Sequence, residues 1–174
     1  MKNNISKIGS LIILALIMSG CSQQKNREQD EVEAIKGVYK TYTNYLEADD
    51  FDNFMTCWDE NGMRSEPGRQ AIIGKDKVGE RFKDLFGRVR YKVAPIGEPN
   101  IEVCDSWGYG YAECTMTIIP KDGSDTIKTD LKVLTIFRKQ TDGSWKLFID
   151  CLNYQPTWSM DTIPEEFSGD NPYY

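Results

Sequence analysis

Near residue 88 the hydrophobic period of this chain changes, and that change limits the folds open to it. Before it, apolar residues recur every three to four positions. Val32, Ile35, Tyr39, Tyr42 and Leu46 make one helical stripe over about residues 29–48. Phe51, Phe54, Met55 and Trp58 make a second, shorter one, with Asp50 at the N-cap position. Val78, Phe82, Leu85 and Phe86 mark a third, ending near Gly87. Beyond residue 88 the period is two. Tyr91 and Val93 alternate with Arg90 and Lys92, and Ile101 and Val103 precede the stretch DSWGYG. In a strand over 108–119, Ala112, Cys114, Met116 and Ile118 share one face and Glu113, Thr115 and Thr117 the other. In a strand over 126–139, Leu131, Val133, Thr135 and Phe137 share a face. KDGSD (121–125) and TDGS (141–144) are turns, and WKLFIDCLNYQ closes the sheet. Helices followed by a run of strands predict an α+β domain, with one sheet face packed on the helices.

The first 20 residues stand apart from that pattern. Lys2 and Lys7 precede LIILALIM (11–18), an apolar run too short for a bilayer core of about 30 Å. It has the form of a secretory signal. IMSGC then resembles a bacterial lipobox, which implies cleavage before Cys21 and acylation there, with palmitate or a similar chain. Residues 21–28 would be a polar tether, 29–157 the domain and 158–174 a polar tail. The partner expected at this end is a membrane. Ser22 with no acidic run after it fits a periplasm-facing anchor, in the outer or inner membrane of the cell envelope.

Removing 20 residues from 174 leaves 154, enough for one domain with its own core. Without Lys2 and Lys7, 19 basic residues face 27 acidic ones. That excess of negative charge argues against nucleic acid as a partner. Export permits disulfides, and Cys57, Cys104, Cys114 and Cys151 allow three pairings. Cys104 and Cys114 flank a hairpin and are best placed to face each other, although a domain of this size needs no staple and small cysteines also simply pack. The chain has no histidine, which removes Ser-His-Asp and Cys-His sites and imidazole metal ligands. It has no CxxC, GxGxxG or GxxxxGK[ST], and DDFDNF fails as a calcium loop because Phe54 and Met55 occupy positions that need a ligand and a glycine. No metal and no cofactor is expected.

Three segments together resemble a known family: YLEADDFDNFMTCWDENG, EPG…IIGKDKVGERF and DGSWKLFIDCLN. Their order and spacing are similar to the nuclear transport factor 2-like superfamily, in its SnoaL-like and DUF4440 branch. The resemblance implies three N-terminal helices packed on a strongly curved antiparallel sheet, forming a cone with a pocket. Trp58, Met63, Tyr91, Val133, Thr135, Phe148 and Leu152 would line it. The ketosteroid isomerases of that superfamily keep an oxyanion-hole tyrosine on the first helix, which corresponds to Tyr42. Their base precedes a proline, which corresponds to Glu66 before Pro67. Their second donor, a protonated aspartate, corresponds to Thr135, a hydroxyl where an acid belongs. Asp150 would turn inward and, near Glu66, raise its pKa.

Each residue also has a plainer reading. Glu66 in Ser-Glu-Pro-Gly fits a solvated turn, Tyr42 a core tyrosine, Thr135 an inward strand threonine and Asp150 a helix brace. Three functions stay open: a lipid-anchored module binding a small, partly apolar ligand; an acid-base isomerase, cyclase or dehydratase of a carbonyl compound with Glu66 as base; and a dimeric interaction module. The last draws on the mixed strand face of Lys128, Asp130, Lys132, Leu134 and Ile136.

Overall fold

The protein was analysed as a computed structural model that describes residues 27–154. The signal, Cys21, most of the tether and the tail lie outside the described residues, as does the end of the domain at 157.

The three stripes are helical. Helix α1 covers 27–47, α2 Phe51–Thr56 and α3 Lys75–Arg88. Asp50 caps α2 by accepting the Asn53 N–H at 3.2 Å. Their apolar faces meet in one aromatic cluster. Phe54 lies 4.6 Å from both Tyr42 and Phe82, and 5.2 Å from Phe86, ring centre to ring centre. Ile35, Phe54 and Val78 are fully buried there.

Seven strands follow: β1 Trp58–Ser65, β2 Ile72–Ile73, β3 Val89–Pro95, β4 Asn100–Cys104, β5 Trp107–Pro120, β6 Ile127–Lys139 and β7 Trp145–Tyr154. The sheet runs β2-β1-β7-β6-β5-β3, with β4 also on β5. It is mixed, because β1 pairs parallel to β7, where an antiparallel sheet was expected. The reason is topological. The segment that follows α2 is a strand, and it lies beside the last strand of the chain. Trp58 accordingly belongs to β1 and not to the α2 stripe.

The cysteines are all unbonded among the described residues. Cys104 stands opposite Trp107 in the β4–β5 hairpin, whereas Cys114 stands opposite Pro95 and Leu131, so these two cysteines do not face each other.

Candidate ligand cavity

Strand register builds the site. Arg64 on β1 is opposite Asp150 on β7, Asp150 opposite Thr135 on β6, and Thr135 opposite Gly110 on β5. These four form one row across the inner face of the sheet. Beyond it toward the closed end of the cone sit Phe137 and Leu147, both buried. On the other side the rows are apolar: Leu152, Val133 and Ala112, then Leu131 and Cys114. The helices roof this face and leave a cavity of 740 Å³, whose walls include Tyr39, Tyr42, Arg64, Glu66, Arg81, Tyr91, Met116, Leu131, Val133, Thr135, Asp150 and Leu152.

The polar row is buried and mutually bonded. Arg64, Thr135 and Asp150 are 7%, 1% and 3% exposed. Asp150 accepts from three donors: Arg64 Nη1, the Thr135 hydroxyl at 3.3 Å and the Tyr42 hydroxyl at 3.4 Å. Tyr39, one helical turn before Tyr42, donates to the Gly110 carbonyl at 3.0 Å. A Cβ on Gly110 would lie 2.5 Å from that hydroxyl, so the position needs glycine for close approach.

Glu66 follows β1 directly, on a turn in which Arg69 N–H donates to its carbonyl at 3.2 Å. Pro67 then Gly68, at φ 71°, is the order a type II turn favours. Both carboxylate oxygens are taken. Oε1 accepts from Arg64 Nε at 3.3 Å, and Oε2 from Arg81 Nη2 at 3.0 Å and Nε at 3.3 Å. Burial pushes the Glu66 carboxyl up, but hydrogen bonds and charge from Arg81 and Arg64 outweigh it and hold it below the usual glutamate range. The rise expected from Asp150 is not found; the arginines take the carboxyl the other way. Arg64 stands between the two carboxylates and binds both. For Arg64 itself burial disfavours the charge, yet Asp150, Tyr42 and Glu66 more than compensate and raise its pKa. Burial and the Asp150 charge push the Tyr42 phenol well above its ordinary value, and burial takes Tyr91 up to about 12.

Of the residues expected around the pocket, Glu66, Tyr42, Asp150, Tyr91, Val133, Thr135 and Leu152 line the cavity. Three do not. Trp58 is sealed in the core, 5.9 Å from the Phe82 ring. Met63 neighbours Arg64 on β1, and alternation turns it to the opposite face. Phe148 is a bulge: Ile136 pairs with Ile149 and Phe137 with Leu147, so Phe148 is the extra residue. It turns outward and packs against Trp107 at 5.1 Å. Arg64, Arg81 and Tyr39 were not anticipated. Arg64 and Glu66 are two apart, a strand spacing, and Tyr39 and Tyr42 are three apart, a helical one; those were the available signals.

The bent sheet roofed by three helices, with a cavity opening on its inner face, defines a nuclear transport factor 2-like cone. Residues 35–149 match the SnoaL-like domain, and the chain belongs to that family. Solved structures share the fold. A ketosteroid isomerase-like protein from Erwinia carotovora atroseptica is 22% identical at TM-score 0.65, over 72% of this chain and 98% of that one. A nuclear transport factor 2-like superfamily protein from Salmonella enterica is 13% identical at TM-score 0.67, over 76% and 96%. A structure named as a candidate scytalone dehydratase from Novosphingobium aromaticivorans is 13% identical at TM-score 0.67, over 74% and 86%. No curated protein matches the chain.

Proposed function

We propose that the protein binds a small, partly apolar molecule in its cone. The observation that carries this reading is the sidedness of the sheet wall in this 740 Å³ cavity, a bonded polar row at one end and apolar rows from β5, β6 and β7 beside it. Such pockets bury an apolar body and orient it with a few polar groups. Native mass spectrometry and thermal shifts against a broad metabolite panel test it. At least one compound is expected to bind, and Val133→Trp, which fills the cavity, is expected to lose it. A panel that yields no ligand sinks the reading.

A second reading is an acid-base enzyme, an isomerase, cyclase or dehydratase of a carbonyl compound. The names of the solved neighbours favour it, as does the Tyr42–Asp150 contact. Glu66 would be its base. The two arginines on Glu66 weigh against that role, because a carboxylate held below its ordinary pKa is a weak proton acceptor. This reading demands that Glu66→Gln abolish turnover of an identified substrate with little change in melting temperature.

We place the domain in the cell envelope, anchored through lipid on Cys21 and facing the periplasm. Labelled palmitate that enters the wild type but not Cys21→Ser is the expected result. The outer face of β5 and β6 favours a homodimer, since Trp107, Tyr109, Tyr111 and Leu134 are each at least 38% exposed there. Sedimentation as a monomer at micromolar concentration would dispose of the dimer.

A further inference from the structure

Building on the cavity reading, we propose that Arg64 reads the polar end of the ligand, and that the group it takes is an uncharged carbonyl oxygen rather than a carboxylate. The guanidinium is fixed on three sides. Nε is held by Glu66 at 3.3 Å, Nη1 by Asp150, and the Phe82 ring lies under it, 5.0 Å from Cζ to the ring centre. Nη2 makes no hydrogen bond among the described residues. It is not sealed either, because Trp58 Nε1 is the sole buried side-chain polar atom without a partner among the described residues. The Nη2 edge therefore opens on the cavity that Arg64 lines. A guanidinium has five N–H groups and no acceptor, so this edge offers donors only.

Charge decides what the edge accepts. The enclosed members Asp150, Arg64, Glu66 and Arg81 alternate in sign along consecutive contacts and balance one another, while Arg69 and Asp84 join them from the exposed side at 3.8 and 3.6 Å. Tyr42 adds a neutral phenol to the same group. A carboxylate at Nη2 would bring a further negative charge beside the two carboxylates already on Arg64. A hydrocarbon would cover the N–H groups and leave them unpaired. A carbonyl brings two lone pairs, no proton and no charge. Its apolar body would lie along Leu152, Val133 and Leu131.

Three naphthalenes of one shape separate these cases: methyl 2-naphthoate, 2-naphthoate and 2-isopropylnaphthalene, titrated by fluorescence into the full-length protein at pH 7. The ester is expected to bind at least about tenfold tighter than either of the others, a difference of about 1.4 kcal/mol. Arg64→Lys keeps the charge that Asp150 and Glu66 need, but its compact ammonium, drawn between those two carboxylates, no longer presents a planar donor edge to the cavity. It is expected to bring the ester to the level of the hydrocarbon while leaving hydrocarbon affinity unchanged. If that variant does not fold, the charge-matched pair Arg64→Met with Asp150→Leu serves the same comparison. Equal binding of ester and hydrocarbon, a carboxylate at least as tight as the ester, or an unchanged preference in the variant overturns the assignment and leaves the cavity reading standing. No binding by any of the three overturns both.

Discussion

Two buried aspartates in this molecule each face an arginine, and they are used differently. Asp59, at the start of β1, is 1% exposed. Its oxygens accept from Asn61 N–H at 2.8 Å, Arg138 Nε at 2.8 Å, Arg138 Nη2 at 2.5 Å and Gln140 Nε2 at 2.9 Å. Arg138 reaches it from β6 and leaves part of its own surface in water, against Phe148 and Trp107. Asp150 reverses the arrangement. Its arginine is as buried as the carboxylate, and that arginine keeps a free edge on a cavity. The first pair closes a corner of the sheet, and the donors Arg138 has left face water. The second holds an unspent donor inside the molecule.

The largest effect expected from this contrast is on stability. Arg64→Met leaves the buried Asp150 without a counter-charge, while Glu66 keeps Arg81, and should cost about 3–5 kcal/mol. Arg138→Met leaves Asp59 with Asn61 and Gln140, and water near the surface, and should cost about 1–2 kcal/mol. Urea denaturation of the two variants ranks them; equal losses would erase the distinction.

The next effect is local. Gly110→Ala drives a Cβ against the Tyr39 hydroxyl and should cost about 1–3 kcal/mol, part of which Tyr39→Phe restores in the double variant. Strict additivity of the two changes would show that the hydroxyl and the glycine are not coupled.

Acid gives the smallest and most diagnostic difference. Burial raises the Asp59 carboxyl, but Asn61, Arg138 and Gln140 bring it below its ordinary value, and Glu66 is lowered by Arg81 and Arg64. Both groups bind protons less readily folded than unfolded. Their stabilisation is therefore complete above the unfolded values, about 3.9 and 4.3, and is lost as pH falls through the lower folded ones. Asp59→Asn and Glu66→Gln should each flatten the fall in melting temperature below pH of about 4. Ligand should protect the Glu66 branch alone, because only Glu66 shares its arginine with the cavity.

Much of this architecture was legible beforehand. The helices and β5, β6 and β7 announce themselves because their buried positions carry Ile35, Phe82, Leu131 and Phe137 at regular spacing. Strand β1 does not. Its buried positions after Trp58 include Asp59, Gly62 and Arg64, and no apolar alternation can be read from charges and a glycine. The site suffered for the same reason. Glu66, Tyr42 and Asp150 could be placed by their positions, but the arginine that ties two of them together sits on the strand that the pattern hid. Cross-strand partners are set by register, and β1 and β7 are separated by some 80 residues.

The extra residue in β7 has an evolutionary side. Phe148 acts on the inner face much as a single inserted base acts on a reading frame: every residue after it is read on the other side. Iron out the bulge while keeping every residue, and Asp150 and Leu152 exchange places with Ile149 and Cys151. The cone would keep its shape and its apolar walls, but its polar end would pass to the surface and Arg64 would face nothing of opposite charge on that strand. A strand of the same length without the bulge would thus hold a chemically opposite pocket under the same fold, and a comparison of such strands has to be made from the bulge outward.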